Sequence, residues 1–145
     1  MKITIMEPMD GEEDEIIIRC RHLDRPLMDL IYAAKAGVYK ITALQDGRYF
    51  QVAAEDIFYF EAVDNRVFLY LEQEVYETKR RLYELEESFL GTDFFRASKS
   101  CIVNLAKVKS LSPAFNGRFE ALMKNGERVI ISRQYVPVLK EKLGL

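Results

Sequence analysis

One run of this 145-residue chain gathers groups that could grip a polyanion: Phe94-Phe95-Arg96-Ala97-Ser98-Lys99-Ser100-Cys101-Ile102-Val103-Asn104-Leu105. Two aromatics anchor what reads as a loop after a helix, and Arg, Ser, Lys and Ser then offer cations and hydroxyl donors before an apolar strand resumes. Lys and Arg neutralise phosphates and donate to guanine edges, so the loop suits a nucleic-acid contact. On these residues alone, a plain connecting loop fits equally well. Other chemistries find less support. His22 is the sole histidine, with no Ser, Cys or carboxylate at a known motif spacing, and reads as a surface residue near a helix start. There is no glycine-rich phosphate loop, His-Glu-x-x-His, Cys-x-x-Cys or nucleophile elbow, so neither an enzyme with a small-molecule substrate nor a metal or other cofactor is expected. Cys20 and Cys101 lie far apart and read as free thiols of a reduced compartment. Arg96 and Lys99 could lower the pKa of Cys101 and make it a redox sensor; the plainer reading is a small core residue at a strand start.

The overall charge of −2 argues at first against a phosphate-rich partner. The average conceals a gradient. Residues 1–64 hold 7 basic and 13 acidic side chains, whereas residues 94–145 hold 10 basic and 3 acidic ones. A basic face on a C-terminal domain, with an acidic region elsewhere, accounts for this split. The N-terminus lacks the apolar stretch of a signal peptide and no run approaches the ~20 apolar residues of a membrane span, so a cytoplasmic protein is expected.

The elements that must carry the loop are mostly strands. Val38–Leu44, Arg48–Val52, Ile57–Phe60 and Val67–Leu71 are rich in β-forming residues, with Asp46-Gly47 as a tight turn between the first two. A helix spans about Thr78 to Leu90, with Leu82, Leu85 and Phe89 on one face and Gly91 as its stop. An irregular stretch follows. Strands are expected near Ile102-Val103 and Val108–Leu111, then a hairpin whose arms Phe119–Met123 and Arg128–Ile131 flank Asn125-Gly126, a type I′ signal. A short helix from about Pro137 to Leu143 closes the chain. Before all of this, residues 2–6 and 15–20 read as two strands around an acidic turn. Asp24, Pro26 and the Leu27, Leu30, Ile31, Ala34 spacing mark a helix ended by Gly37. Residues 1–37 therefore form a β-β-α module, used for packing or dimerisation, and residues 38–145 form the main domain. The fold class is α+β with strands predominating.

Tyr59-Phe60-Glu61, the Leu82–Leu90 helix with Leu85-Glu86-Glu87, Phe95-Arg96-x-x-Lys99-Ser100-x-Ile102-Val103-Asn104, Lys124-Asn125-Gly126 and Ile131-Ser132-Arg133-x-Tyr135 together resemble the LytTR DNA-binding domain, in its order and spacing across about residues 40–145. The resemblance implies an elongated fold of small antiparallel sheets with a central and a C-terminal helix, which reads double-stranded DNA with loops rather than a recognition helix. Carried over by motif, the DNA-binding residues are Asn65 and Arg66, then Arg96, Ser98, Lys99 and Ser100, then Arg133 with Gln134 beside it. Asn65 suits an adenine edge, Lys99 and Arg133 a guanine, and Arg66, Arg96 and the serines phosphates. Where some members place histidine at the first site and asparagine at the second, this chain has Asn65 and Lys99, which points to a different preferred sequence. Lys107 and Lys109 extend that face or are solvated strand lysines.

Each of these residues has a structural competitor. Asn65 follows Asp64 in what could be a simple turn, Asn104 reads as a turn or capping residue, and Arg96 could pair with Glu61 and hold its loop in place. Many LytTR proteins carry a phosphoacceptor receiver, for which the first 36 residues are too few. The expectation is a stand-alone regulator, bound as a homodimer to repeated half-sites and restrained by a membrane-protein inhibitor. The competing reading is a protein-interaction module or antagonist that pairs with another regulator or a membrane partner without reading DNA.

Overall fold

The computed structural model describes residues 1–36 and 39–145, so the expected helix stop at Gly37 and strand start at Val38 lie outside the described residues. After helix α1 (Arg25–Ala36) come strands β1 (Lys40–Gln45), β2 (Arg48–Ala53), β3 (Tyr59–Val63), β4 (Arg66–Tyr70) and β5 (Val75–Thr78). Helix α2 (Leu82–Ser88), strands β6 (Phe94–Ser98), β7 (Cys101–Asn104), β8 (Val108–Pro113), β9 (Phe119–Met123) and β10 (Arg128–Ile131), and helix α3 (Val136–Leu143) follow. Seven strands form an antiparallel sheet in the order β2-β1-β5-β4-β3-β7-β6, and three form a second in the order β10-β9-β8.

Alternation along β3, β6 and β7 divides the interior in two. Phe60, Ile102 and Phe94 face α2, where Leu82, Leu85 and Phe89 close the first core. Tyr59, Phe95, Ala97, Cys101 and Val103 face the other way, onto Ala121, Met123, Val129 and Ile131 of the small sheet and Val136 and Leu139 of α3. Because successive strand residues point to opposite faces, a strand buried on both sides must be apolar throughout. β7 meets this with Cys101, Ile102 and Val103. Its last residue, Asn104, is buried too and spends its polarity internally: Nδ2 donates to Ile57 O at 2.8 Å, Oδ1 accepts from Ala106 N at 3.1 Å, and its backbone N donates to Phe58 O at 2.9 Å. The capping reading of Asn104 is the correct one.

Several expectations need correction. The strands foreseen at 2–6 and 15–20 do not form; a turn in which Glu12 N donates to Met9 O at 3.0 Å is the ordered feature there, and Ile3, Ile5, Ile16 and Ile17 are exposed. Local alternation supplies no ladder partner, and an isolated hairpin is marginal in water. The helix of that module does form, its Asp24 carboxylate accepting from Leu27 N at 3.0 Å, and its Tyr32 ring lies against Gly91. The central helix runs Leu82–Ser88 rather than from Thr78 to Leu90; Thr78 instead ends strand β5, which pairs with β4 and buries Tyr76 and Thr78. Asn125-Gly126 turns the chain, but only Gly126 has positive φ (89°). The connection is therefore wider than a type I′ pair, with Gly126 N donating to Met123 O at 3.0 Å.

Burial in the second core pushes the Cys101 thiol up to about 12; Glu61 acts in the same direction and Arg96 opposes. The cations thought to activate it are outweighed, which removes the basis for a redox role. Since the folded value lies above the usual 9.0, this contribution to stability is complete below pH 9.0 and is lost as pH rises from there towards the folded value. Denaturant unfolding should accordingly show a lower midpoint at about pH 10 than at neutrality. With a thiol-reactive disulfide reagent under native conditions, exposed Cys20 should react at once and buried Cys101 only on unfolding. Asn104→Ala should cost about 1–3 kcal/mol in the same unfolding assay, because the buried Ile57 carbonyl and the part-buried Ala106 N–H lose their partner.

Candidate nucleic-acid interface

Three connections meet at one end of the seven-stranded sheet. The first is the β3–β4 turn, Asp64-Asn65, where both residues have positive φ (51° and 63°), as a two-residue I′ hairpin requires. Asn and Asp are the non-glycine residues that tolerate this hand. The turn reading of Asn65 thus holds, and the same geometry leaves its amide exposed at the hairpin tip. The second is the β6–β7 turn at Lys99-Ser100. Here the expected irregular loop is a hairpin, with a register shift between Arg96 and Ser98. The third is the helical turn Arg133–Tyr135 before α3. Backbone bonds fix all three together: Ala62 N donates to Ser100 O at 2.8 Å, and Ser132 N donates to Ala97 O at 2.8 Å.

The candidate cations divide by what they touch. Arg96 is largely buried, its side chain 18% exposed. Its Nε donates to Ser98 O (2.7 Å), one terminal nitrogen to Lys99 O (2.7 Å) and the other to Glu86 Oε2 (2.9 Å). It holds the turn, as one expectation had it, but through Glu86 on α2 rather than Glu61. Register explains the difference: Arg96 aligns with Ile102, and so with Phe60, on the α2 face, while Glu61 aligns with Cys101 on the opposite face. Arg66 is exposed, stands over the Phe68 ring at 5.2 Å, and makes a two-pronged pair with Glu77 at 2.9–3.1 Å. The guanidinium holds the Glu77 carboxyl below its ordinary value and is itself raised in return, hydrogen bonding being the largest cause of each.

Lys99 and Arg133 differ from these. Both are exposed, and among the described residues neither side chain has a carboxylate partner or hydrogen bond. Ser98 is half-buried and Ser100 exposed, with hydroxyls 3.4 Å apart, and Gln134 is exposed beside Arg133. Lys107 sits over the Phe58 ring at 5.4 Å, a tethered cation, while Lys109 is exposed.

A fourth connection reaches the same end and escaped sequence reasoning. In the β8–β9 turn, Ala114 N donates to Arg118 O at 2.8 Å. Gly117 packs so closely on Arg133 that an added Cβ would lie 3.0 Å from Arg133 Cδ. Arg118 is exposed, with no carboxylate partner among the described residues. The available signal was Asn116-Gly117, an Asn-Gly turn marker of the same kind as Asn125-Gly126.

The described residues contain no group of three or more His, Cys, Asp and Glu side chains able to hold a metal, and no helix long and apolar enough to cross a membrane. Residues 47–144 match the LytTr DNA-binding domain family. The sensory transduction protein LytT of Enterococcus faecalis is 33% identical over 100 residues, 69% of this chain and 41% of that protein. LytT of Bacillus subtilis is 25% identical over 142 residues, 97% of this chain and 59% of that protein. The chain thus spans about half the length of these relatives. A solved LytTr DNA-binding domain from Bacillus cereus superimposes with a TM-score of 0.69 at 28% identity, covering 73% of this chain and 97% of the other. With a family match over more than half its residues and the same mostly-β architecture, the chain belongs to the LytTR DNA-binding domain family.

Proposed function

We propose that this chain is a cytoplasmic transcription regulator that reads double-stranded DNA sequence-specifically through the loops at one end of its large sheet. The observation that carries this is the convergence of three turns, tied by backbone hydrogen bonds, around two exposed cations with no carboxylate partner among the described residues. A lysine or arginine held at a turn without a carboxylate is free to donate to guanine O6 and N7 in the major groove, and this is the role assigned to Lys99 and Arg133. Asn65 at its hairpin tip presents the amide that pairs with an adenine edge. Ser98, Ser100 and Gln134 supply donors to phosphate oxygens, and Arg66 adds a phosphate contact on exchanging Glu77 for DNA. Arg96 acts through the turn it braces rather than by touching DNA.

A second reading rests on a different observation. The first 20 residues expose Ile3, Ile5, Met6, Met9, Ile16 and Ile17 on an acidic segment, a run of large apolar side chains that a partner surface could cover. This fits a protein contact, whether a homodimer on repeated half-sites, a membrane-protein inhibitor or another regulator. Charge reversal separates the readings, since it should abolish DNA binding and spare a protein partner.

The test is fluorescence anisotropy of a duplex enriched from a randomised library by the purified wild-type chain, read over a salt series. Binding should beat a scrambled duplex and weaken steeply with salt, each phosphate contact adding about 0.9 to the log–log slope. Lys99→Glu with Arg133→Glu should abolish it while circular dichroism stays unchanged; equal binding by that variant would overturn the assignment. Arg133→Ala alone should cost about 1–3 kcal/mol and relax preference at one base pair. Glu86→Gln should weaken DNA binding several-fold by loosening Arg96, with a stability loss of about 1 kcal/mol or less. Arg96→Ala should cost about 2–3 kcal/mol of stability, because two turn carbonyls and Glu86 lose a charged donor.

A further inference from the structure

The β8–β9 turn carries an aromatic that no core absorbs. Phe115 is 83% exposed, although β8 and β9 on either side of it pack into the second core through Leu111 and Phe119. The turn is ordered by its own bonds: Ala114 N donates to Arg118 O at 2.8 Å and Arg118 N to Phe115 O at 3.4 Å. Asn116 and Gly117 both have positive φ (60° and 73°). Gly117 is favoured by that hand, and a Cβ there would press on Arg133, whose Cδ and Cγ lie 3.0 and 3.2 Å from the place it would take, so that the arginine stem would have to shift. The turn therefore forms a floor under the aliphatic stem of Arg133. A long side chain whose stem rests on a rigid floor loses less rotamer freedom when its head engages a base.

We propose that this turn is a fourth DNA-reading loop, in which Gly117 is a positioning residue for Arg133 and Phe115 makes an apolar contact with the duplex beside the base pair that Arg133 reads. The inference rests on the DNA-binding reading above. Aromatic side chains make favourable contacts with thymine methyl groups, and apolar side chains insert at deformable base steps. Either contact gives an exposed phenylalanine a partner on the same face as an unpaired arginine. Continuity with Arg133 favours DNA over a second copy of the chain.

The experiment uses the full chain and the library-enriched duplex. The sequence contains no tryptophan, so Phe115→Trp installs a single reporter, whose emission should be quenched and shifted on adding the enriched duplex. Phe115→Ala and Gly117→Ala should each weaken binding roughly tenfold, the size of one lost base-pair contact, with unchanged circular dichroism. Gly117→Ala should also relax preference at the base pair to which Arg133→Ala is blind, and the two changes together should cost less than their product. Lys99→Glu with Arg133→Glu serves as the control for the underlying reading. If that doublet keeps wild-type affinity, the DNA-binding assignment fails and this inference falls with it. If the doublet loses binding while Phe115→Ala and Gly117→Ala retain it, or the indole emission of the Phe115→Trp variant ignores DNA, the fourth loop alone is overturned. A change in sedimentation of DNA-free Phe115→Ala would assign the aromatic to a protein contact instead, and would equally overturn it.

Discussion

All four residues of β7 are buried, and the molecule is arranged around that fact. A strand covered on both faces needs a layer on each side and a neighbour along each edge. Here α2 supplies one layer, the small sheet with α3 the other, and β3 and β6 the edges. Burying the end of such a strand would strand backbone groups around it. Asn104 prevents this by bonding Ile57 O and Ala106 N with its side chain, so one amide closes the chain both before β3 and after β7. Because both faces of β7 are held, the turn that leads into it stands at a fixed place relative to α2 and α3, and the candidate DNA-contacting groups inherit that rigidity.

Much of this was legible from residue pattern. The apolar face Leu82, Leu85, Phe89, the Asp46-Gly47 turn and the β9–β10 arms all formed where periodicity and turn chemistry put them. What failed did so for identifiable reasons. The N-terminal alternation promised strands, but a strand is completed by a neighbour, and no pattern within residues 2–20 says whether one is present. Val75–Thr78 was missed as a strand, its last residue being taken as the helix start, because four residues are too short for period to decide, and only pairing with β4 settles it. Phe94–Ser98 read as loop because its polar residues hid the alternation; Arg96 was read as a phosphate contact or a brace on Glu61, whereas its partners are Glu86 and two carbonyls.

The site was legible in part. Residue types and family resemblance marked the chain segments, but type says nothing about whether a cation is spoken for. Five basic residues that look alike in sequence separate in the structure: Arg96 braces a turn, Arg66 faces Glu77, Lys107 lies on an aromatic ring, and Lys99 and Arg133 have no carboxylate partner among the described residues. That partition turns a net-positive region into specific donors. The acidic N-terminal residues explain why overall charge is uninformative here, since they cancel in the sum without neighbouring the basic turns in sequence.

The backbone hand at Asn65 has a consequence for how such a protein changes its preferences over generations. A side chain at a left-handed turn position is drawn from a narrow set, Gly, Asn, Asp and His above all, and β-branched or bulky residues are penalised there. Lys99 and Arg133 carry no positive φ, so their identities are open to nearly the whole amino-acid alphabet. Drift in recognised sequence should therefore proceed in large chemical steps at the β6–β7 turn and before α3, and within a narrow vocabulary at the β3–β4 tip. One end of the proposed recognition site is then free to diversify while the other is held by the geometry of its own turn.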